Sequence, residues 1–274
     1  VMYNQQRYLI FFQYIGTKYS GAVKVPPHQL EKKGVQDHLE DALRRLRPLN
    51  PVSLSISSRT DRGVHALSNS AHFDFQRKND KPPFTEEILV EALNFHLKAE
   101  QISVTRAYRV PDDFHARFRA LSRTYVYRIA LGVSQPAQLP LGELNRVCAM
   151  REAAAMLVGT HDFSSFRAVN SDMPFRNPVK TLDVASIQPG RAFVCEHFHR
   201  EIPFWELTFQ SKSFLYKQVR RMTGALVAVG QGRISLTKLK DILESRDSLA
   251  YPHNVVAPAR GLFLTRVDYR ESGK

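Results

Sequence analysis

The sequence predicts an α/β protein of two halves, each alternating strands with helices. Three observations point there: β-prone apolar runs recur along the chain, apolar stripes at three- and four-residue spacing lie between them, and the order of elements in the first half returns loosely in the second. The chain has 274 residues, enough for two units that share a core, and the expected division is 1–110 and 111–274.

Residues 8–13 are apolar and β-prone, and Gly16 and Gly21 supply turn chemistry, so the chain is predicted to open with a buried strand. Val35, Leu39, Ala42, Leu43 and Leu46 mark the apolar stripe of a helix whose other side carries Asp37, Glu40, Arg44 and Arg45. Val52, Leu54 and Ile56 alternate with serines. A second alternating run ends in His72-Phe73-Asp74-Phe75, which leaves 57–68 as a polar loop between two strands. Thr85 is the expected N-cap of a helix burying Ile88, Leu89, Ala92 and Leu93, and a strand near 102–108 completes the half.

The second half reads as a strand at 123–131, a helix burying Met150, Ala153, Ala154, Leu157 and Val158, and strands near 179–187, 191–198 and 204–210. A helix with Leu215, Val219, Met222, Leu226 and Val229 on one face follows, then a helix from about Ser235 and a last strand at 261–269. Residues 132–144 hold two prolines and two glycines without periodicity and read as a surface loop or insertion.

Lysine and arginine number 39 against 26 acidic residues, a formal charge of +13 that favours polyanionic partners. Nucleic acid leads and an anionic membrane is second. No run of eighteen apolar residues exists, and residues 1–7 show neither a signal core nor an arginine- and serine-rich presequence, so a soluble intracellular protein is expected. Cys148 and Cys195 match neither a disulfide framework nor a zinc spacing and are expected to be buried thiols. Cys195, His197 and His199 alternate, yet three ligands from one strand suit a tetrahedral metal poorly, so no metal is expected. The sequence has no phosphate-binding glycine loop and no dinucleotide fingerprint, which predicts chemistry without a nucleotide or other cofactor.

The most informative stretch is Ser58-Arg59-Thr60-Asp61-Arg62-Gly63-Val64-His65-Ala66, a carboxylate flanked by two arginines on a glycine-containing loop. A nearby guanidinium favours the ionised form of Asp61, and Gly63 permits a tight backbone path. Taken alone, Asp61 reads first as a surface residue in an Asx-turn, its arginines facing solvent.

Arg-Thr-Asp-x-Gly-Val-His-Ala at 59–66 resembles the catalytic signature of TruA-type tRNA pseudouridine synthases. Tyr14-x-Gly16-Thr17-x-Tyr19-x-Gly21 is similar to that family's opening, Gly34-Val35-Gln36 to the start of its first helix, and Phe114-His115-Ala116-Arg117-Phe118 to its central hinge motif. Further resemblance lies at Tyr125, at His161 to Arg167 and at Gly261 to Leu264. Ser58 stands where glycine is usual in bacterial members and Arg62 where a small residue is frequent. With Leu67-Ser68-Asn69, these departures resemble the animal pseudouridylate synthase-like branch.

The resemblance implies the pseudouridine synthase fold: two ferredoxin- or RRM-like halves, a mainly antiparallel central sheet with helices on one side, and a basic RNA-binding cleft. It implies Asp61 as the catalytic aspartate, Arg220 as its charge partner, and Tyr125 as the ring that stacks on the target base and could help move a proton. Arg59 would intercalate or position the RNA, and Leu262 would lie beneath the flipped uracil. Arg62, His65, Arg117, Lys217 and Arg221 complete the expected RNA-contacting set. Periodicity alone leaves Arg220 and Arg221 equally readable as a solvated basic helix face. Without the resemblance, Tyr125, Tyr127 and Leu262 read first as core.

Isomerising uridine breaks the bond from ribose to base nitrogen and rejoins the base through carbon, on a nucleotide taken out of its stack. Asp61 could attack the sugar carbon, stabilise an oxocarbenium-like centre, or take a sugar proton to give a glycal. The partners implied are tRNA, through its anticodon arm, with other RNA including mRNA as candidates. Bacterial members form homodimers and some eukaryotic members do not. The compartment implied is the mitochondrial matrix or the cytoplasm. Two rival readings are an RNA-binding or RNA-chaperone protein without turnover, and a carboxylate-dependent glycosidase or nuclease. The second would need another acid or a metal cluster that the motif loop does not offer. His161-Asp162 could suggest acid–base work, although a structural or RNA-contact role is preferred.

Overall fold

In chain order the elements are β1 (Gln5–Tyr14), α1 (Val35–Arg45), β2 (Ser55–Ile56), β3 (His65–Gln76), α2 (Glu86–Leu97), β4 (Ile102–Val110), β5 (Ala120–Ala130), α3 (Leu141–Leu157), β6 (Gly159–Asp162), β7 (Val179–Pro189), β8 (Phe204–Ser211), α4 (Gln218–Gly230), α5 (Leu236–Ser245) and β9 (Leu262–Tyr269). They come from a computed structural model that describes residues 5–28, 32–130, 141–169, 176–190 and 204–271, the side chains of 141–145 excepted. The result is a mixed α/β protein. Wherever pairing register is described it is antiparallel, except that β3 and β9 run parallel.

Two compact units divide the chain, Val1–Ser122 with Phe263–Lys274, and Arg123–Leu262. In the first, the order β-α-β-β-α-β produces neighbours β4-β1-β3, with β2 and β9 both paired to β3. Alternation explains the buried face: Tyr8, Ile10 and Phe12 of β1 and Phe73 and Phe75 of β3 are buried beside Leu39 and Leu43 of α1 and Leu89 of α2. Helix α1 starts at Gly34, whose N–H donates to the Asp37 carboxylate at 2.8 Å, and α2 starts at Thr85, whose hydroxyl accepts from Ile88 N at 3.4 Å. The second unit has the order β5-β8-β7-β6. The predicted stripe Leu215, Val219, Met222, Leu226 and Val229 is buried there, and Ser235 caps α5 by accepting from Lys238 N.

Several expectations change. Leu89, Leu93 and Leu97 form the buried stripe of α2, and Ile88, about 100° round the helix from Leu89, is 51% exposed. Glu40 is buried rather than solvent-facing, because its carboxylate accepts from Leu54 N, Gln36 Nε2, Lys24 Nζ and Arg44 Nη2. Leu54 thereby gives its N–H to a side chain instead of a ladder, and β2 shrinks to two residues. The loop expected at 57–68 ends at residue 64, since His65 and Ala66 already pair with Phe263 and Leu264. Helix α3 begins at Leu141, inside the stretch 132–144 expected to be a loop, of which 132–140 lie outside the described residues.

Val158 lies one residue beyond α3 and is exposed, not buried, and Cys148, adjacent to the buried Val147, is exposed too. The strand expected at 191–198, with Cys195, His197 and His199, lies outside the described residues. Among the described residues no helix is long and apolar enough to cross a membrane, and no three His, Cys, Asp or Glu side chains gather where a metal could bind.

Candidate active site

In the first unit, the Asp61 loop is held from beneath by side chains far away in sequence. Tyr14 on β1 and Thr60 share a hydrogen bond of 2.7 Å between hydroxyls. Asn69 on β3 donates to the Tyr14 hydroxyl at 3.2 Å and to Ser58 O at 3.0 Å. Thr60 and Asn69 are buried, and burial pushes the Tyr14 phenol up to about 12, so it stays a neutral hydrogen-bonding group. The loop backbone is fixed as well: Ser57 N donates to Ser70 O, Ala22 N to Thr60 O, and Val64 N to Asp61 O. The last bond closes a turn with Gly63 at φ +83°, a conformation glycine adopts without the Cβ penalty.

The glycines that open the chain now have a reason. A Cβ on Gly16 would lie 1.9 Å from Val64 O, and one on Gly21, itself at φ +99°, would lie 3.0 Å from Thr60 O. The segment after β1 is thus pressed against the Asp61 loop backbone. Gly16 N donates to His65 Nδ1 at 3.0 Å, and the buried His65 ring lies 4.8 Å from that of Phe263. On this frame Asp61 is half-buried while Arg59 and Arg62 are exposed. Arg117 is half-buried, with its guanidinium 5.5 Å from the exposed Phe118 ring.

In the second unit Tyr125 is half-buried on β5 and meets Phe214 edge-on, with ring centres 5.3 Å apart. Tyr127, two residues on, is buried; its hydroxyl donates to Pro258 O at 2.9 Å and its ring fills the space beside Gly261. Leu262 follows and is buried. Lys217 is the residue before α4, at φ 55°, with its ammonium 5.1 Å from the Tyr216 ring.

The two arginines of α4 differ in their surroundings. Arg220 is half-buried and exchanges bonds with Ala257, Nε donating to its carbonyl at 2.9 Å and Ala257 N donating to Arg220 O at 3.0 Å. Arg221 sends Nη1 to Ser165 O and Arg167 O, and its guanidinium lies 4.8 Å from the Tyr251 ring. Burial lowers the pKa of Arg221. The Tyr251 hydroxyl donates to Arg221 O and to Val255 O, and a Cβ on Gly224 would lie 1.8 Å from Val255 O. The 251–262 segment is therefore fastened to α4 and to β5. Arg221 ties loops together, and Arg220 is tied through Nε to the segment that carries Ala257.

His161 and Asp162 do not act as a pair. Asp162 Oδ1 accepts from Ser164 N and Ser164 Oγ, while His161 Nε2 is 3.0 Å from Val158 O. Sequence reading missed Asn69 as a loop support and Tyr251, Val255 and Ala257 as the frame of Arg220. The only available signal was the Tyr14 and glycine spacing, which marks the opening motif without revealing what it touches.

The mostly antiparallel sheet with its helices is consistent with the fold of the pseudouridine synthases, a class of RNA-modifying isomerase. A model of the tRNA pseudouridine synthase family matches residues 10–119 and 153–270. The chain is 52% identical to tRNA pseudouridine synthase-like 1 of Xenopus laevis over 97% of its own length and 92% of that protein. For the protein of the same name in Homo sapiens the figures are 50%, 97% and 91%. It is 38% identical to tRNA pseudouridine synthase A of Maricaulis maris, over 96% of the chain and 98% of that protein. The chain belongs to the tRNA pseudouridine synthase family, and the resemblance read from residues 59–66 holds along its length, with higher identity to these animal members than to this bacterial one.

Proposed function

We infer that the protein converts uridine to pseudouridine in tRNA, with Asp61 as the carboxylate on which the chemistry depends. The observation that carries the reading is the Asp61 loop: in a member of this family, the signature aspartate sits half-buried and accessible on a backbone fixed by buried hydrogen bonds. Such a loop loses little entropy when substrate arrives, which suits a charged group that must meet one sugar carbon.

The reaction is an isomerisation, so atoms balance without an oxidant or a group donor. The bond between C1′ and N1 breaks, the detached uracil turns, C1′ joins C5, and the hydrogen on C5 leaves as a proton while N1 gains one. Asp61 acts on the ribose by one of three routes: attack at C1′, electrostatic support of a cationic centre, or removal of a sugar proton. Tyr125, half-exposed and braced by Phe214, stacks on the extruded base. Arg220 supplies the positive charge that the family pattern sets against the carboxylate. Arg59 and Arg62, both exposed, contact the RNA around the gap left by the flipped nucleotide. His65 and Leu262, both buried, act by holding the loop and the floor of the base pocket.

The anticodon arm is the proposed target, in a compartment that holds tRNA, the mitochondrial matrix or the cytoplasm. Other RNA, mRNA included, and a homodimer are part of the same proposal. The test incubates purified protein with unmodified tRNA and quantifies pseudouridine in nuclease digests, with mRNA transcripts in parallel. Product with wild type and none with Asp61→Ala supports the reading. RNA binding without product from wild type would favour the chaperone alternative.

A further inference from the structure

At the opposite end of β3 from the Asp61 loop, the first unit carries an open groove lined by Arg44, Arg47, Pro48, Asn50, Pro51 and Lys78 among others. Residues 44–52 follow α1 and Lys78 follows the last residue of β3, Gln76, whereas the Asp61 loop precedes its first, His65. Twelve strand residues at a rise of about 3.3 Å place the two ends roughly 35 Å apart.

The groove is built rather than incidental. Asn50 at its floor spends its whole amide on the backbone, donating to Pro51 O and Asp74 O and accepting from Gln76 N. Leu49 N donates to Gln76 O at 2.8 Å, and two prolines stiffen the wall. Arg47 is held at φ 55°, in the position after a helix end where glycine is the usual occupant. An arginine there holds a left-handed backbone conformation that side chains with a Cβ rarely adopt. Lys78 opens a tight turn whose two central residues, Asn79 and Asp80, are at φ 59° and 49°, closed by Lys81 N donating to Lys78 O.

Charge decides what the groove fits. Arg44 is already matched by Asp41 at 2.6 Å and by Glu40 at 3.3 Å. Arg47 and Lys78 are exposed, and neither side chain has a hydrogen bond or ion pair among the described residues. Two uncompensated cations on turns with fixed backbones, facing one rigid groove, match a polyanion whose charges recur along a backbone. A free-standing basic helix face would offer no such fixed geometry.

We propose that the Arg47–Lys78 groove is a second RNA-docking surface, which grips the sugar-phosphate backbone of the substrate roughly 35 Å along β3 from the Asp61 loop. The proposal rests on the RNA-substrate reading above. Its consequence is selection by shape: an RNA that reaches both the loop and the groove is held in register, and a short uridine-bearing fragment is not.

The test measures binding of a tRNA transcript from about 50 to 200 mM salt for wild type, Arg47→Gly with Lys78→Gln, and Arg45→Gln, with turnover recorded in parallel. Glycine relieves the left-handed strain at position 47, so the double variant should fold at least as well as wild type, which its unfolding midpoint checks. Loss of two phosphate contacts should flatten the slope of log affinity against log salt by about 1.8. Weaker binding at low salt, raised KM and unchanged kcat are expected, with little effect from Arg45→Gln. An unchanged slope in the double variant, or an equal drop with Arg45→Gln, would overturn the groove. A wild type that forms no pseudouridine but shows the same slope change would leave the groove standing and sink the isomerase reading instead.

Discussion

The two charged groups proposed to carry the chemistry are held by different means. Asp61 sits on a loop, placed by side chains from β1 and β3 and by glycines that let two backbones touch. Arg220 sits on a helix already rigid through its own ladder, and the Ala257 backbone bonds to it on both sides. The loop depends on side-chain identity at Tyr14, Gly16, Thr60 and Asn69. The helix depends on the 251–262 segment lying against it, fixed by Tyr251, Gly224 and Tyr127. Substitutions beneath Asp61 should therefore change catalysis through small local defects, and substitutions around Arg220 should loosen a whole segment.

The largest expected effect is that of Asp61→Asn, which keeps shape and removes charge: turnover should fall by about 10³-fold or more with unfolding and RNA affinity nearly unchanged. Gly16→Ala comes next. A methyl 1.9 Å from Val64 O must displace the loop. A stability loss of about 1–3 kcal/mol should accompany a fall in turnover larger than stability explains, measured by denaturant unfolding beside kcat. Arg220→Ala should lower both turnover and the unfolding midpoint, and Arg220→Lys should restore the midpoint more than the rate, because lysine keeps charge but not the planar fork. An active, normally stable Arg220→Ala would remove the helix from this comparison.

Smaller effects sharpen it. Tyr14→Phe leaves Thr60 and Asn69 short of a buried partner, at about 1–3 kcal/mol, and should reduce kcat with KM little changed. A separate test is acid. His72 Nδ1 accepts from Ala116 N at 3.0 Å, and burial, followed by the charges of His115 and Arg7, lowers its pKa from 6.5 to about 4. Its folded pKa lies below the unfolded value, so the unfolded state takes up the proton first. Stability should fall as pH drops from about 6.5 towards 4, by up to about 1.4 kcal/mol per pH unit for one proton. His72→Gln should flatten that stretch of the unfolding profile.

Much of the fold was legible because its signal is local. The stripe on α4 repeats at the helix period, and Thr85 and Ser235 announce helix starts by their hydroxyls. Alternation located β3 but not its first residue, since His65 and Ala66 pair with β9, nearly two hundred positions later. Glu40 looked like a solvent residue because periodicity weighs only polarity, and two of its four partners, Lys24 and Leu54, lie outside the helix.

The same limit governs the candidate site. Asp61 was legible from its motif, and its supports were not, because the Tyr14–Thr60 and Asn69–Ser58 bonds join segments that no spacing rule connects. Arg220 and Arg221 are adjacent, so helical period could not rank them. Their surroundings differ: Arg221 is committed to the backbone of Ser165 and Arg167, whereas Arg220 donates through Nε to Ala257 O.

The most direct test of the central claim is a single-turnover experiment with tRNA tritiated at uracil C5, since forming the C1′–C5 bond must expel that hydrogen. Wild type should release tritium into water while Asp61→Asn binds the same tRNA and releases none above background. Release by Asp61→Asn at the wild-type rate would contradict the account.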